Sequence, residues 1–348
     1  MESGQVTQAM TVQDDTKRSP KISAQVWNLI KILFAVVLVG FILSKTDLQQ
    51  MKLLSGRILW SWLILRFVFF CLMIVFKSIQ YWALLGKKIP YVRMLNIVIM
   101  QNTLSNFVTN SAGIASYLTM LHAEEGVKLS RAGITFIVTK VTDLLMMWIC
   151  LLVAAVLVWA QIAQLHWLVI VLVCGIFLAL VAFLIAIILR QRFVSTLCAL
   201  ASRLHLDRIR LVGRGLESLQ SLADQDPRSI FLLLRRSAGP SLIYMFLTVA
   251  LVYSGMRLFS IPIGFGPILF VTALIQLLSI VPIQVFGGLG VTEVTSMYLY
   301  TSFGISQQEI VPALIGLRLL AYLMSAAVLL YLPVGTLLSR SQGSEKDM

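Results

Sequence analysis

Apolar residues in this chain come in long unbroken blocks, and the polar stretches between them collect the basic residues. A membrane-spanning helix needs about 20 mostly apolar residues. The blocks Val26–Leu43, Ile58–Phe76, Ala132–Trp159, Trp167–Leu189, Ser241–Phe259 and Ile310–Leu332 meet that length and predict spanning helices. Two further blocks, Met94–Met120 and Gly266–Tyr300, are interrupted near their middles. The first carries "NFVTNSAGIASY", the second "SIVPIQVFGGLGVTEVTS" from Ser279 to Ser296. Pro282 removes a backbone donor and ends a helix, and Gly287, Gly288 and Gly290 permit a sharp turn and close backbone approach. The pattern predicts an all-α, polytopic membrane protein with about six full spans and two broken helical segments.

Orientation follows from the basic residues, which favour cytoplasmic loops. Lys17, Arg18 and Lys21 precede the first block, Lys77, Lys87, Lys88 and Arg93 follow the second, and nine arginines lie between Arg190 and Arg236. Gln161–His166 has neither Lys nor Arg. Both termini, residues 77–93 and residues 190–236 are therefore predicted to be cytoplasmic. On that assignment Met94–Met120 starts and ends inside, whereas Gly266–Tyr300 starts and ends outside. Both are predicted to be re-entrant, from opposite faces, because irregular backbone at membrane depth is tolerated where protein or a wet cavity surrounds it. The organisation is a polar cytoplasmic tail over 1–25, one transmembrane domain over 26–335 and a cytoplasmic tail over 336–348. Within the domain, 190–236 is a basic cytoplasmic loop. Its stretch Val194–Leu222 has apolar residues at helical period between arginines, the pattern of an interfacial amphipathic helix.

An internal echo follows the two broken segments. "GVKLSRAGITFIVTK" (Gly126–Lys140) and "GISQQEIVPALIGLR" (Gly304–Arg318) share a glycine, an apolar tail and a terminal cation at the same spacing. Repeats of opposite topology are a common transporter build, with the site at the midplane between them.

Composition narrows the function. Of 348 residues, 59% are hydrophobic and 12% charged, and soluble domains carry about twice that charge. The net charge of +13 belongs with cytoplasmic loops and anionic lipid, not with nucleic acid. None of the four cysteines forms a CxxC pair, and His122, His166 and His205 are scattered. With no metal cluster, nucleophile triad or nucleotide loop legible, neither an enzyme nor a cofactor is expected. Glu293 stands out, since an acid at membrane depth is costly and marks function or a partner. The turn before it aims the amino end of a half-helix, with its free amides, into the membrane.

"VPIQVFGGLGVTE" resembles the signature of the flippase-like transmembrane region of bacterial lysylphosphatidylglycerol synthases and their stand-alone relatives. The resemblance covers about Asn28 to Gly335 and implies Pro282, Gly287, Gly288, Gly290 and Glu293 as motif positions. It also implies Lys140 and Asp143 in "VTKVTDLL" and Arg318 in "IGLRLLAY" as site residues. Lys140 and Asp143, one helical turn apart, either neutralise each other or leave the cation for a lipid phosphate. Arg318 is the expected partner of Glu293. The first broken segment departs from the family, placing Ala115, Ser116 and Tyr117 where charges stand elsewhere. Lys31, Arg66, Lys77 and Arg257 read as snorkelling residues near helix ends. Without the aminoacyl-transferring domain, lipid aminoacylation is not expected. The resemblance implies a flippase for a lipid with an anionic or lipid-linked headgroup in the cytoplasmic membrane. The alternative is a non-transporting scaffold for a lipid- or glycan-synthesising enzyme.

Overall fold

The computed structural model describes residues 59–87, 89–189, 227–278 and 291–332. Among these residues there are nine α-helices and no strand. They are α1 Trp60–Leu84, α2 Tyr91–Phe107, α3 Asn110–Ala123, α4 Leu129–Val158, α5 His166–Leu189, α6 Pro227–Leu258, α7 Phe265–Leu278, α8 Val291–Ser302 and α9 Gln307–Leu329. Five of the helices are long and apolar enough to cross a membrane, at Trp60–Leu84, Leu129–Gln161, Ala163–Ala182, Ile230–Leu258 and Gln307–Leu329. The protein is thus an all-α, multi-pass membrane protein. The expected first span, Val26–Leu43, and the amphipathic stretch Val194–Leu222 lie outside the described residues.

Two boundaries differ from the sequence pattern. α1 continues past Phe76 to Leu84, because Ser78, Gln80 and Tyr81 are buried in the bundle and give the polar end of the helix something to pack on. α6 begins at Pro227, inside the stretch expected to be a loop. Proline suits a first helical turn. Ile230 then packs with Leu84, Ile134 and Val138, which draws "PRSIFLLLRR" into the helix.

Among the described residues, each interrupted block contributes two short helices. Thr109 caps α3 by accepting from the Ala112 amide at 3.1 Å. Gly113 lets α3 lie directly on α2, since a Cβ there would sit 2.6 Å from the Gln101 carbonyl oxygen. At the base of this hairpin Arg93, near the start of α2, pairs with Glu125, just beyond α3, at 3.3 Å. In the second block Phe303, just beyond α8, meets Phe270 of α7 edge-on at 5.9 Å. The two hairpins start from opposite ends of α4. The first leads through residues 124–128 into the start of α4, whereas Gly266 of α7 packs on Leu157 and Val158 at its far end. Thirty helical residues put those ends about 45 Å apart.

The chain therefore repeats one order of elements with reversed direction: α1, α2–α3, α4, then α6, α7–α8, α9. The connector after the first helix closes with the same hydrogen-bond pattern in both units. Gly86 (φ +73°) donates to the Ala83 carbonyl and Lys87 to that of Trp82; Ser260 (φ +58°) donates to Arg257 and Ile261 to Met256. These are helix-ending turns of the left-handed type. α1 and α6 run antiparallel at the centre, the Leu59 amide donating to the Leu258 carbonyl at 3.2 Å. The apolar core has two main lobes. One joins α4, α6, α7 and α9 around Phe270 and Tyr300, the other joins α1, α2, α3 and the end of α9 around Tyr81 and Tyr117.

Candidate functional site

Lys77 is the first surprise of the packed bundle. It lies two turns inside α1 and, instead of snorkelling to a helix end, its Nζ forms an ion pair with Asp143 Oδ2 of α4. The two side chains are 12% and 13% exposed. Lys77 also donates to Gln80 Oε1 at 3.0 Å. Gln80 Nε2 donates to Ser237 Oγ of α6 at 2.8 Å and, at 3.4 Å, to Asp143 Oδ1. Ser241 Oγ donates to Asp143 Oδ1 at 2.6 Å. The ammonium faces the Tyr244 ring at 4.6 Å and the Tyr81 ring at 5.6 Å. Such a pair in an apolar setting persists because hydroxyl, amide and ring groups solvate both charges.

The polar centre reaches the first hairpin through Tyr81, which accepts from Gln101 Nε2 at 3.4 Å and packs on the Tyr117 ring at 4.6 Å. Around this junction the Tyr117 hydroxyl, Gln101 Oε1 and Thr139 Oγ1 are buried without a hydrogen-bond partner. Leaving such groups unsatisfied costs about 1–3 kcal/mol each, so their concentration beside an ion pair is unusual for a purely structural core.

Arg66, eleven residues before Lys77 on α1, is also not at a surface. It is 5% exposed and donates from Nη1 to the Leu251 carbonyl, while its Nε has no partner. Gly255 makes the room: a Cβ there would lie 2.4 Å from Nη1. Among the described residues no carboxylate pairs with it. Eleven residues are three helical turns, so both cations stand on one stripe of α1, about 16 Å apart along the axis.

Two other expected site residues, Lys140 and Arg318, fall on α4 and α9. Lys140 does not neutralise Asp143; it is exposed, 5.6 Å from the Phe136 ring, because Asp143 turns to α1 and α6. Arg318 on α9 donates from Nε to the Tyr322 hydroxyl at 3.1 Å, and Tyr322 stacks on Phe107 at the end of α2. Arg318 is thus placed beside the tip of the first hairpin. Pro282, Gly287, Gly288 and Gly290 lie outside the described residues, as does the side chain of Glu293. Lys77, Gln80, Ser237, Ser241 and Tyr244 were not expected. For Lys77 and Gln80 the signal was present, since Gly86 and Lys87 mark the true end of α1 and leave "KSIQ" inside it. No group of three His, Cys, Asp or Glu among the described residues is arranged to hold a metal ion.

Residues 28–328 match the family model of the lysylphosphatidylglycerol synthase TM region, and the chain belongs to that family. No curated protein and no solved structure matches it. The family is a lipid-related membrane domain, and its matched region corresponds to the membrane part, not the catalytic part, of those synthases.

Proposed function

We propose that this protein carries a lipid with an anionic headgroup across the membrane, with the polar centre between α1, α4 and α6 as the place where the headgroup phosphate is met. The buried Lys77–Asp143 pair, held between two units of opposite direction, is the observation that carries this reading. An ionisable pair at membrane depth is retained at a cost and marks a pathway more often than a scaffold. Lysine is a compact charge on a flexible stem with three donors, suited to leaving a carboxylate for a phosphate oxygen. While it does so, Ser241 and Gln80 remain to satisfy Asp143. Arg66 supplies a second cation further along the same helix. On this reading the two hairpins are re-entrant and the basic end of the bundle is cytoplasmic. The glycine turn with Glu293 then serves as the second unit's counterpart of the polar centre, with Lys140 and Arg318 flanking the path.

The test is a vesicle assay with purified protein and headgroup-labelled phosphatidylglycerol, phosphatidylethanolamine and a lipid-linked sugar phosphate. Labelled anionic lipid is expected to become accessible on the opposite leaflet faster than in empty vesicles. Lys77→Gln should slow it at least about tenfold, the loss of one charge-assisted contact. If no lipid crosses faster than in empty vesicles, the transport reading fails and the chain acts as a scaffold.

A further inference from the structure

Behind the polar centre lies a groove that the proposed mechanism does not use. It has a volume of about 380 Å³ and opens between α4, α5 and α6. Val141, Leu145, Leu180, Phe231 and Leu234 line it, and Arg235 is the single charged residue of the lining. The groove takes no residue from α1, so it lies on the far side of the α4–α6 seam from Lys77. That seam is thin: Thr142 and Ala238, which complete the lining, are the chain neighbours of Asp143 and Ser237.

We propose that this groove binds one acyl chain of an anionic phospholipid, with the phosphate on Arg235. The volume falls within the range of about 300–1,000 Å³ that buries a small ligand. Its apolar lining in a membrane-spanning bundle suits a hydrocarbon chain. The charge complementarity lies in Arg235, which is exposed at the groove and lies eight residues from the start of α6. That is about 12 Å along the helix, within reach of the headgroup level for a long side chain. A guanidinium takes a phosphate in a bidentate pair, and Arg236 beside it, also exposed, adds to the local positive charge. The site is in the half of the bundle holding the starts of α4 and α6, which the basic residues assign to the cytoplasmic leaflet. That a lipid seated here is the one passed to Lys77 rests on the transport reading; the binding itself does not.

The full chain is purified in detergent, given equimolar phosphatidylglycerol and phosphatidylcholine, and the retained lipids are counted by native mass spectrometry. Wild type is expected to retain phosphatidylglycerol preferentially. Arg235→Gln should remove that preference, a loss of about tenfold, while Ala238→Trp, which fills the groove, should remove the bound lipid itself. Leu145→Trp fills the groove from the other wall and replaces Ala238→Trp if that variant melts below wild type. A phosphatidylglycerol with a photoreactive acyl chain should label peptides spanning 141–145 or 231–238. Unchanged phosphatidylglycerol retention in a folded groove-filled variant would overturn the proposal. So would labelling confined to other helices, which would make the groove a docking face for protein. A protein that fails to move lipid in vesicles yet shows this retention refutes transport and leaves the groove standing.

Discussion

Removing the carboxylate at the centre of the bundle is the most direct perturbation the structure offers. Asp143→Asn keeps the shape and leaves Ser241 a carbonyl oxygen to donate to, but it strands the Lys77 ammonium, whose side chain is 12% exposed. Breaking one partner of a buried pair costs about 3–5 kcal/mol, because the remaining charge has lost its counter-charge without regaining water. Lys77→Met strands the carboxylate in turn, with Ser241 and Gln80 as its donors. Replacing both, with Lys77→Met and Asp143→Leu, removes the two charges together, and such replacements are often neutral or stabilising. The single changes are therefore expected to be strongly non-additive, with a coupling of at least about 2 kcal/mol. The assay is equilibrium unfolding of the purified protein in mixed micelles with increasing sodium dodecyl sulfate, followed by far-ultraviolet circular dichroism. Two single variants each within about 1 kcal/mol of wild type, with a double variant equal to their sum, would match a solvent-exposed pair. That result would refute the burial argument and remove the support for the polar centre.

Two further outcomes are expected. Gly113→Ala should destabilise by about 1–3 kcal/mol in the same unfolding assay, because its Cβ would meet the Gln101 carbonyl, which cannot rotate away as the Ser105 hydroxyl can. A variant as stable as wild type would mean that α2 and α3 do not pack at this point. Glu125, outside the spans, has its carboxyl raised above the usual carboxylate range by burial, against the pull of the Arg93 guanidinium. A raised carboxyl favours the folded state below its ordinary titration and loses that stability as pH rises through the folded value. Melting curves from pH 4 to 7 should therefore show wild type falling relative to Glu125→Gln as pH increases; the opposite trend would mean that Arg93 dominates.

Long apolar blocks and their interruptions made five of the six expected spans and both helix pairs legible, since membrane helices announce themselves by length and composition alone. The echo between Gly126–Lys140 and Gly304–Arg318 also held meaning: in the structure each glycine has positive φ and precedes a long helix, α4 or α9, at the same spacing. The helix ends were less legible. A lysine after an apolar run reads as the end of a span, so Lys77 passed for a loop residue, although "KSIQYWALLGKK" places the helix-ending Gly86 nine residues later. Arg66 was misread as a snorkelling residue; only Gly255, on a helix nearly 190 positions away, reveals that there is room to bury it. Partners so distant in sequence cannot be paired by periodicity. Asp143 was identified as a site residue through family resemblance, and its partner was not, because the i,i+3 neighbour Lys140 was the nearest cation in the chain.

On the transport reading, the seam between the two units also sets a rate. Ser241 to Asp143, Gln80 to Ser237 and Arg66 to the Leu251 carbonyl all cross from one unit to the other. Two of these involve a charged group and one is neutral, at about 1.5–3 and 0.5–1.5 kcal/mol respectively, so these three bonds alone are worth about 3.5–7.5 kcal/mol. Because each 1.36 kcal/mol is a factor of ten, losing these three with nothing to replace them slows an opening by about 400-fold to about 3 × 10⁵-fold. A phosphate that offers its own acceptors as the bonds part would lift most of that penalty. An idle molecule would therefore stay shut, and the bilayer around it would stay tight to ions, without any separate gate.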